Sequence, residues 1–157
     1  MKVSDYFAEL YLAGRFADDG WNVYFPHRDK GFDFIISKPN ASGEEIIRPV
    51  QVRGKYPQEG KTDKIAYGYI GRLTQVHPDM VLAIPFFSKG ALVPTCVAYM
   101  PLSVVRADRH GYRCLPAAFR DGPVSPRRDY ARFFDDSGFQ MLEDSTWKDS
   151  CIVVARA

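Results

Sequence analysis

The sequence predicts a single α/β domain over residues 1–157, ordered as a helix, a three-strand meander, a second helix, a buried strand and a mixed C-terminal extension. Three observations carry this expectation. Apolar residues recur at helical spacing near the N-terminus. Three short runs rich in β-branched and aromatic residues follow, bounded by proline, glycine and polar turn residues. The segment DMVLAIPFF is then apolar without alternation, as a strand covered on both faces is. A chain of 157 residues suits one domain with its own core. With 46% hydrophobic and 25% charged residues it has the balance of a folded globular protein, and 14% aromatics supply core or stacking surface.

The elements follow in order. Ser4 is a good N-cap for a helix over 4–19, in which Phe7, Leu10, Tyr11, Gly14 and Ala17 recur at helical spacing and Gly20 closes the C-terminus. Residues 21–25 read as a first strand, stopped by Pro26. Residues 31–37 (GFDFIIS) and 46–53 read as a second and third strand, joined through turn material at 39–43. A polar loop at 56–63 leads into a helix expected over 64–76. The buried strand at 79–87, another at 93–99 and a short helix opening at Pro101 come next. A second amphipathic helix is expected over 130–139 and a last strand over 151–155.

Chemistry concentrates on the second and third strands. Asp33 stands inside an apolar run between Phe32 and Phe34, Ile35, Ile36. Aspartate forms strands poorly, and a buried carboxylate needs a partner or a metal. In PVQVRGK, Gln51 and Arg53 share one face because strand side chains alternate, while Val50 and Val52 share the other. An aspartate, an amide oxygen and a cation on neighbouring strands suit a hard metal and a phosphate. Glu9 has Tyr6, Ala13 and Phe16 as helical neighbours, which gives either a carboxylate on a partly apolar face or an exposed helix residue.

The run ELYLAGRFADDGWNVYFPHRDKGFDFII followed by RPVQVRGK resembles the PD-(D/E)XK nucleases, most closely the small branch with Holliday junction resolvases and a tRNA-intron homing endonuclease. The resemblance covers about residues 4–87. It implies a restriction endonuclease-like fold and a Mg²⁺-dependent endonuclease acting on DNA, with Mn²⁺ able to substitute. Glu9 would be the helical acid and Asp33 the metal-binding aspartate. Gln51 would fill the Glu/Gln position, with the Val52 carbonyl as a further ligand. The family pattern asks for lysine at position 53, and this chain has Arg53. Arginine holds its proton and presents a planar fork instead of a point charge. Either Arg53 supplies the electrostatic part, or Lys55, of the same parity, takes the lysine role. Otherwise catalysis is lost and a nucleic-acid-binding or assembly module remains. Pro49 implies a bend in the third strand.

The net charge of +2 does not by itself imply a nucleic acid, but its distribution is uneven. Arg106, Arg109, Arg113, Arg120, Arg127, Arg128 and Arg132 form a basic segment followed by an acidic one at 135–149. Arg106, Arg109, Arg113, Arg127 and Arg128 are the phosphate-contact candidates; the alternative is a solvated surface with local ion pairs. Tyr67 and Tyr69 with Arg72 are candidates for base stacking or for helix packing.

Other classes are disfavoured. Cys96, Cys114 and Cys151 contain no CxxC pair and are odd in number, so neither zinc nor a disulfide framework is expected, and buried thiols are. Gly60-Lys61-Thr62 lacks the spacing of a phosphate loop. His27, His77 and His110 are scattered. The N-terminus enters a polar helix without a leader pattern, and no apolar run approaches the ~20 residues of a membrane span. A cytoplasmic location without membrane contact is expected. Cutting both strands of a duplex needs two active sites, so a homo-oligomer is expected as well.

Overall fold

The computed structural model describes residues 3–28, 31–56, 69–73, 75–119 and 124–152. Helix α1 (Val3–Asp18) is followed by β1 (Asn22–Tyr24), β2 (Phe34–Pro39) and β3 (Glu45–Val52). Then come β4 (Tyr69–Gly71), β5 (Val81–Phe86) and β6 (Cys96–Pro101). Short strands β7 (Arg106–Asp108), β8 (Gly111–Arg113), β9 (Ala117–Phe119) and β10 (Val124–Pro126) lead to a 3-10 turn, Arg128–Phe133, and to α2 (Asp135–Met141).

The architecture is mixed α/β. Five strands form one mixed sheet in the order β1-β2-β3-β5-β6. The meander β1-β2-β3 is antiparallel, β5 runs parallel to β3, and β6 returns antiparallel to β5. A parallel pair needs a crossover, and the chain between β3 and β5 supplies one. Two smaller sheets, β4-β8-β7 and β10-β9, are built largely from the C-terminal third.

Alternation assigns the two faces. Phe34, Ile36, Val50, Val52, Val81, Ala83, Val97 and Tyr99 pack under Ala8, Leu12 and Phe16 of α1 and against Phe139, Leu142 and Trp147. Leu82, Ile84, Phe86, Ala98 and Met100 point the other way, onto Val104, Cys114, Ala117, Tyr130 and Phe133. Strand β5 is therefore buried on both sides, which explains its unbroken apolar run. The edge strand β6 is closed by a bridge from Ala98 to Phe134 and by Asp135, whose Oδ1 accepts the Val97 N–H at 2.9 Å.

Four expectations are corrected. The buried face of α1 is Ala8, Leu12 and Phe16, whereas Phe7, Leu10, Gly14 and Ala17 are exposed. The helix expected over 64–76 fails at 69–71, where β4 pairs with β8, because a long-range strand partner overrides local helical preference. Residues 57–68, which hold Gly60-Lys61-Thr62 and Tyr67, lie outside the described residues. The helix expected over 130–139 splits into the 3-10 turn and α2, with Phe134 extended between them. Cys96 and Cys114 are buried free thiols as expected, but Cys151 is exposed. Residues 151–152 carry no regular structure, and the rest of the expected last strand lies outside the described residues. No described helix is long and apolar enough to cross a membrane.

Candidate functional site

The site grows from the end of the β2-β3 ladder. Register pairs Phe34 with Val50, and the Asp33 N–H donates to the Val50 carbonyl at 3.0 Å, so Asp33 stands opposite Gln51 one residue ahead of β2. Its Oδ2 accepts two hydrogen bonds, from Gln51 Nε2 at 2.7 Å and from the Val52 N–H at 2.6 Å. Both are short, as bonds to a carboxylate are. Gln51 is only 4% exposed. With its amide nitrogen turned to Asp33, its oxygen is the terminus left for another partner. Gln51 pairs with Leu82 near the N-terminal end of β5, so the set lies where the last residues of β3 begin to run parallel to β5.

Two cations continue the strand direction. The Arg53 N–H bonds the Ala83 carbonyl at 2.9 Å, which fixes its backbone against β5. Its guanidinium turns back, with Nη1 donating to the Val52 carbonyl at 3.2 Å and Nη2 to the Arg72 carbonyl at 3.4 Å. Strand β3 ends at Val52, but pairing resumes at Lys55. The Lys55 N–H donates to Pro85, its carbonyl accepts from Phe87, and the residue bridges Phe86 in parallel fashion. The break falls at Gly54, where a Cβ would sit 2.9 Å from the Tyr56 ring. Tyr56 in turn stacks on Phe87 with centroids 4.6 Å apart. A side chain at 54 would push that ring off its seat.

Burial, helped by the nearby Arg53 charge and opposed by Cys114, brings the Lys55 ammonium down to about 8. The Cys114 thiol is pushed up to about 12, also by burial. A lysine so placed exchanges a proton near neutral pH. It also costs stability, because a fall from 10.5 to about 8 is worth up to roughly 3 kcal/mol against the charged form. Below pH 8 Lys55 is protonated folded and unfolded, and the whole penalty applies. Between 8 and 10.5 the unfolded chain holds the extra proton, so stability rises with pH. Lys55→Met is therefore expected to gain about 1–3 kcal/mol at pH 7, less at pH 9.5, in urea titrations. Equal gains at both pH values would show that Lys55 is not charged at a cost. Comparing variant with wild type at each pH removes the separate titration of Cys114.

The remaining candidates have different surroundings. Glu9 is half-buried on α1, in the helical layer over the Val50 and Val52 face, whereas Asp33, Gln51, Val52 and Arg53 form a bonded set at the hairpin end. Among the described residues no group of three or more His, Cys, Asp or Glu is placed to hold a metal. Arg106, Arg109, Arg113, Arg127 and Arg128 are all exposed. Arg106 and Arg113 are directly opposite across β7 and β8, in a sheet whose third strand, β4, precedes Arg72. Arg127 bonds the Leu115 carbonyl, pairs with Asp129 at 3.0 Å and lies over the Tyr130 ring. Arg109 Nε donates to His110 Nε2. His27 is exposed. Sequence reasoning missed Cys114 beside Lys55 and the carbonyl of Arg72 beneath Arg53; both contacts join segments distant in the chain and leave no local pattern.

No protein-family model matches this chain, and no curated protein matches it.

Proposed function

We propose that this chain is a metal-dependent hydrolase of the PD-(D/E)XK kind, an endonuclease that cuts phosphodiester bonds in DNA. The observation that carries the reading is the single oxygen Asp33 Oδ2 receiving both Gln51 Nε2 and the Val52 N–H. It locks carboxylate, amide and strand end into one rigid set. Support also comes from the order of elements. A helix, an antiparallel three-strand meander and a strand parallel to the third agree with part of a restriction endonuclease-like core, whose expected second helix is not among the described elements between β3 and β5.

The donor chemistry fits Mg²⁺: a carboxylate, an amide oxygen and the Val52 carbonyl are hard oxygen ligands, and Mg²⁺ is commonly held by one or two carboxylates. Asp33, Gln51 and Val52 would hold it; Glu9, in the helical layer over the opposite face of the sheet, is not part of that set. When bound, it supplies Lewis acidity at the phosphate and toward water. The chain's own residues do the rest. Asp33 orients Gln51 and fixes the end of β3. Arg53 brings a permanent charge to the phosphate but cannot relay a proton. Lys55 can give or take one. Arg72, Arg106, Arg113, Arg127 and Arg128 extend positive charge along a bound backbone.

One observation favours a second reading, a catalytically inactive nucleic-acid-binding module. Arg53 Nη1 already occupies the Val52 carbonyl, an oxygen the cation would need. Single-turnover cleavage of plasmid and branched DNA with Mg²⁺ and with Mn²⁺ separates the two. Active enzyme is expected to slow by roughly 10²-fold on Arg53→Ala, as on loss of one transition-state donor elsewhere. DNA binding is expected to weaken with salt. Replacing Arg127 and Arg128 by alanine should make the log–log slope shallower by about 0.9 per lost phosphate contact. Salt-dependent binding without cleavage selects the second reading, and binding indifferent to salt removes both.

A further inference from the structure

Helix α1 is apolar on two sides. Ala8, Leu12 and Phe16 are spent on the core. The opposite side shows Tyr6, Phe7, Leu10, Gly14 and Ala17 to solvent, with Phe7 50% and Leu10 45% exposed. From position 6 to 17 no fully exposed residue of the helix is charged: Glu9 and Arg15 are half-buried, and Arg15 is bound to Asp136 at 3.1 Å and lies over the Phe139 ring. A surface helix carries polar residues on its outer side, and one that is apolar all round is covered.

We infer that the outer face of α1 is a homodimer interface, packed antiparallel against the same helix of a second copy.

The pattern itself selects the occupant. Phe7 and Ala17 are equidistant from position 12, and so are Leu10 and Gly14. A twofold axis at that level sets the bulky half of each helix against the small half of the other, Leu10 beside the partner's Gly14 and Phe7 beside the partner's Ala17. Such a face is complementary to itself, as an isologous contact requires. Gly14 supports this independently. It lies in mid-helix with no positive φ, and a Cβ built on it meets nothing within 4 Å of its own chain. Glycine there weakens the helix without any gain inside the monomer. Close approach of another helix supplies the gain. Antiparallel packing brings exposed Asp18, at the C-terminal end of α1, to the N-terminal end of the partner helix, where the helix dipole favours a carboxylate and the Asp5 already in that turn opposes one. A lone helix pair is smaller than a standard interface of ~800 Å² per partner, so association is expected to depend on concentration. The dimer places two copies of the Asp33–Gln51 site in one particle.

Sedimentation velocity from low micromolar to several hundred micromolar tests this without DNA or metal, so its outcome is independent of the nuclease reading. Reducing buffer is needed because Cys151 is exposed. Wild type is expected to pass from monomer to dimer. Gly14→Leu and Leu10→Asp are expected to weaken association at least tenfold. Gly14→Leu should nevertheless melt no lower than the wild-type monomer, since leucine is the better helix former and its side chain enters open space within the chain. A wild type that stays monomeric at the highest concentration overturns the proposal. So does a Gly14→Leu variant that associates as tightly as wild type.

Discussion

Asp33→Asn is expected to reduce DNA cleavage by roughly 10³-fold or more, the upper end of what loss of one positioned electrostatic group costs, while leaving the fold in place. The side chain keeps its shape but loses its charge. Oδ2 now accepts from Gln51 Nε2 and the Val52 N–H. An asparagine can turn only one oxygen to those two donors, and its other terminus is itself a donor. Bonds to a charged acceptor are worth about 1.5–3 kcal/mol, against 0.5–1.5 for neutral ones, so a stability loss of about 1–2 kcal/mol accompanies the change. A drop in melting temperature of only a few degrees is expected for a domain of this size. Mn²⁺ binding by calorimetry, done beside the cleavage assay, separates a lost ligand from a disordered loop. Cleavage within tenfold of wild type would remove Asp33 from the reaction centre and with it the proposed chemistry.

The juxtaposition of Asp33 and Gln51 was legible because its signal is local, although β2 begins at Phe34 and leaves Asp33 just outside the strand expected over 31–37. Period-two alternation fixes which of Val50, Gln51, Val52 and Arg53 share a face, and an aspartate among Phe32, Phe34, Ile35 and Ile36 is anomalous wherever it falls. Strand β5 was legible for a similar reason, since six consecutive buried residues leave no polar phase to misread. Helix α1 was misphased because two apolar stripes compete on it. The core stripe is carried partly by Ala8 and Ala13, small residues with a weak hydrophobic signal, and the outer one by Phe7 and Leu10. The C-terminal third resisted reading because β7, β8, β9 and β10 are three residues each, too short for alternation to show. One of them, β8, also takes a partner far away in sequence, with Tyr69 of β4 opposite Arg113. Arg48 was passed over because one polar residue on the Ile46, Val50 and Val52 face looks like an ordinary strand cation until the segment after α2 is folded onto it.

Arg48→Ala is expected to be the most destabilising of these substitutions, by about 3–5 kcal/mol. Arg48 is 2% exposed on the same face of β3 as Val50. Its Nε donates to the Leu142 carbonyl and its Nη2 to the Asp144 carbonyl, both at 2.8 Å, and its guanidinium stacks 4.6 Å from the Trp147 ring centre. It thus caps the C-terminal end of α2 and pins the turn after it to β3. Burial lowers its pKa, with the charges of Asp79 and Asp144 acting the other way, yet guanidinium stays protonated at any ordinary pH. Alanine leaves two carbonyls without their donors, at about 1–3 kcal/mol for each that stays buried, and a void over Trp147. Relief of the buried charge offsets part of this. A fall in melting temperature of about 10 °C follows at 2–4 °C per kcal/mol. Arg48→Lys is expected to recover less than half, because an ammonium cannot span both carbonyls or stack on the indole as the planar fork does. Cleavage per folded molecule should survive at low temperature, since Asp33, Gln51 and Arg53 do not touch Arg48 through these bonds. A melting temperature within 3 °C of wild type for Arg48→Ala would mean that the C-terminal segment holds to the sheet through Phe139, Leu142 and Trp147 alone, with a margin too large for one capping cation to matter.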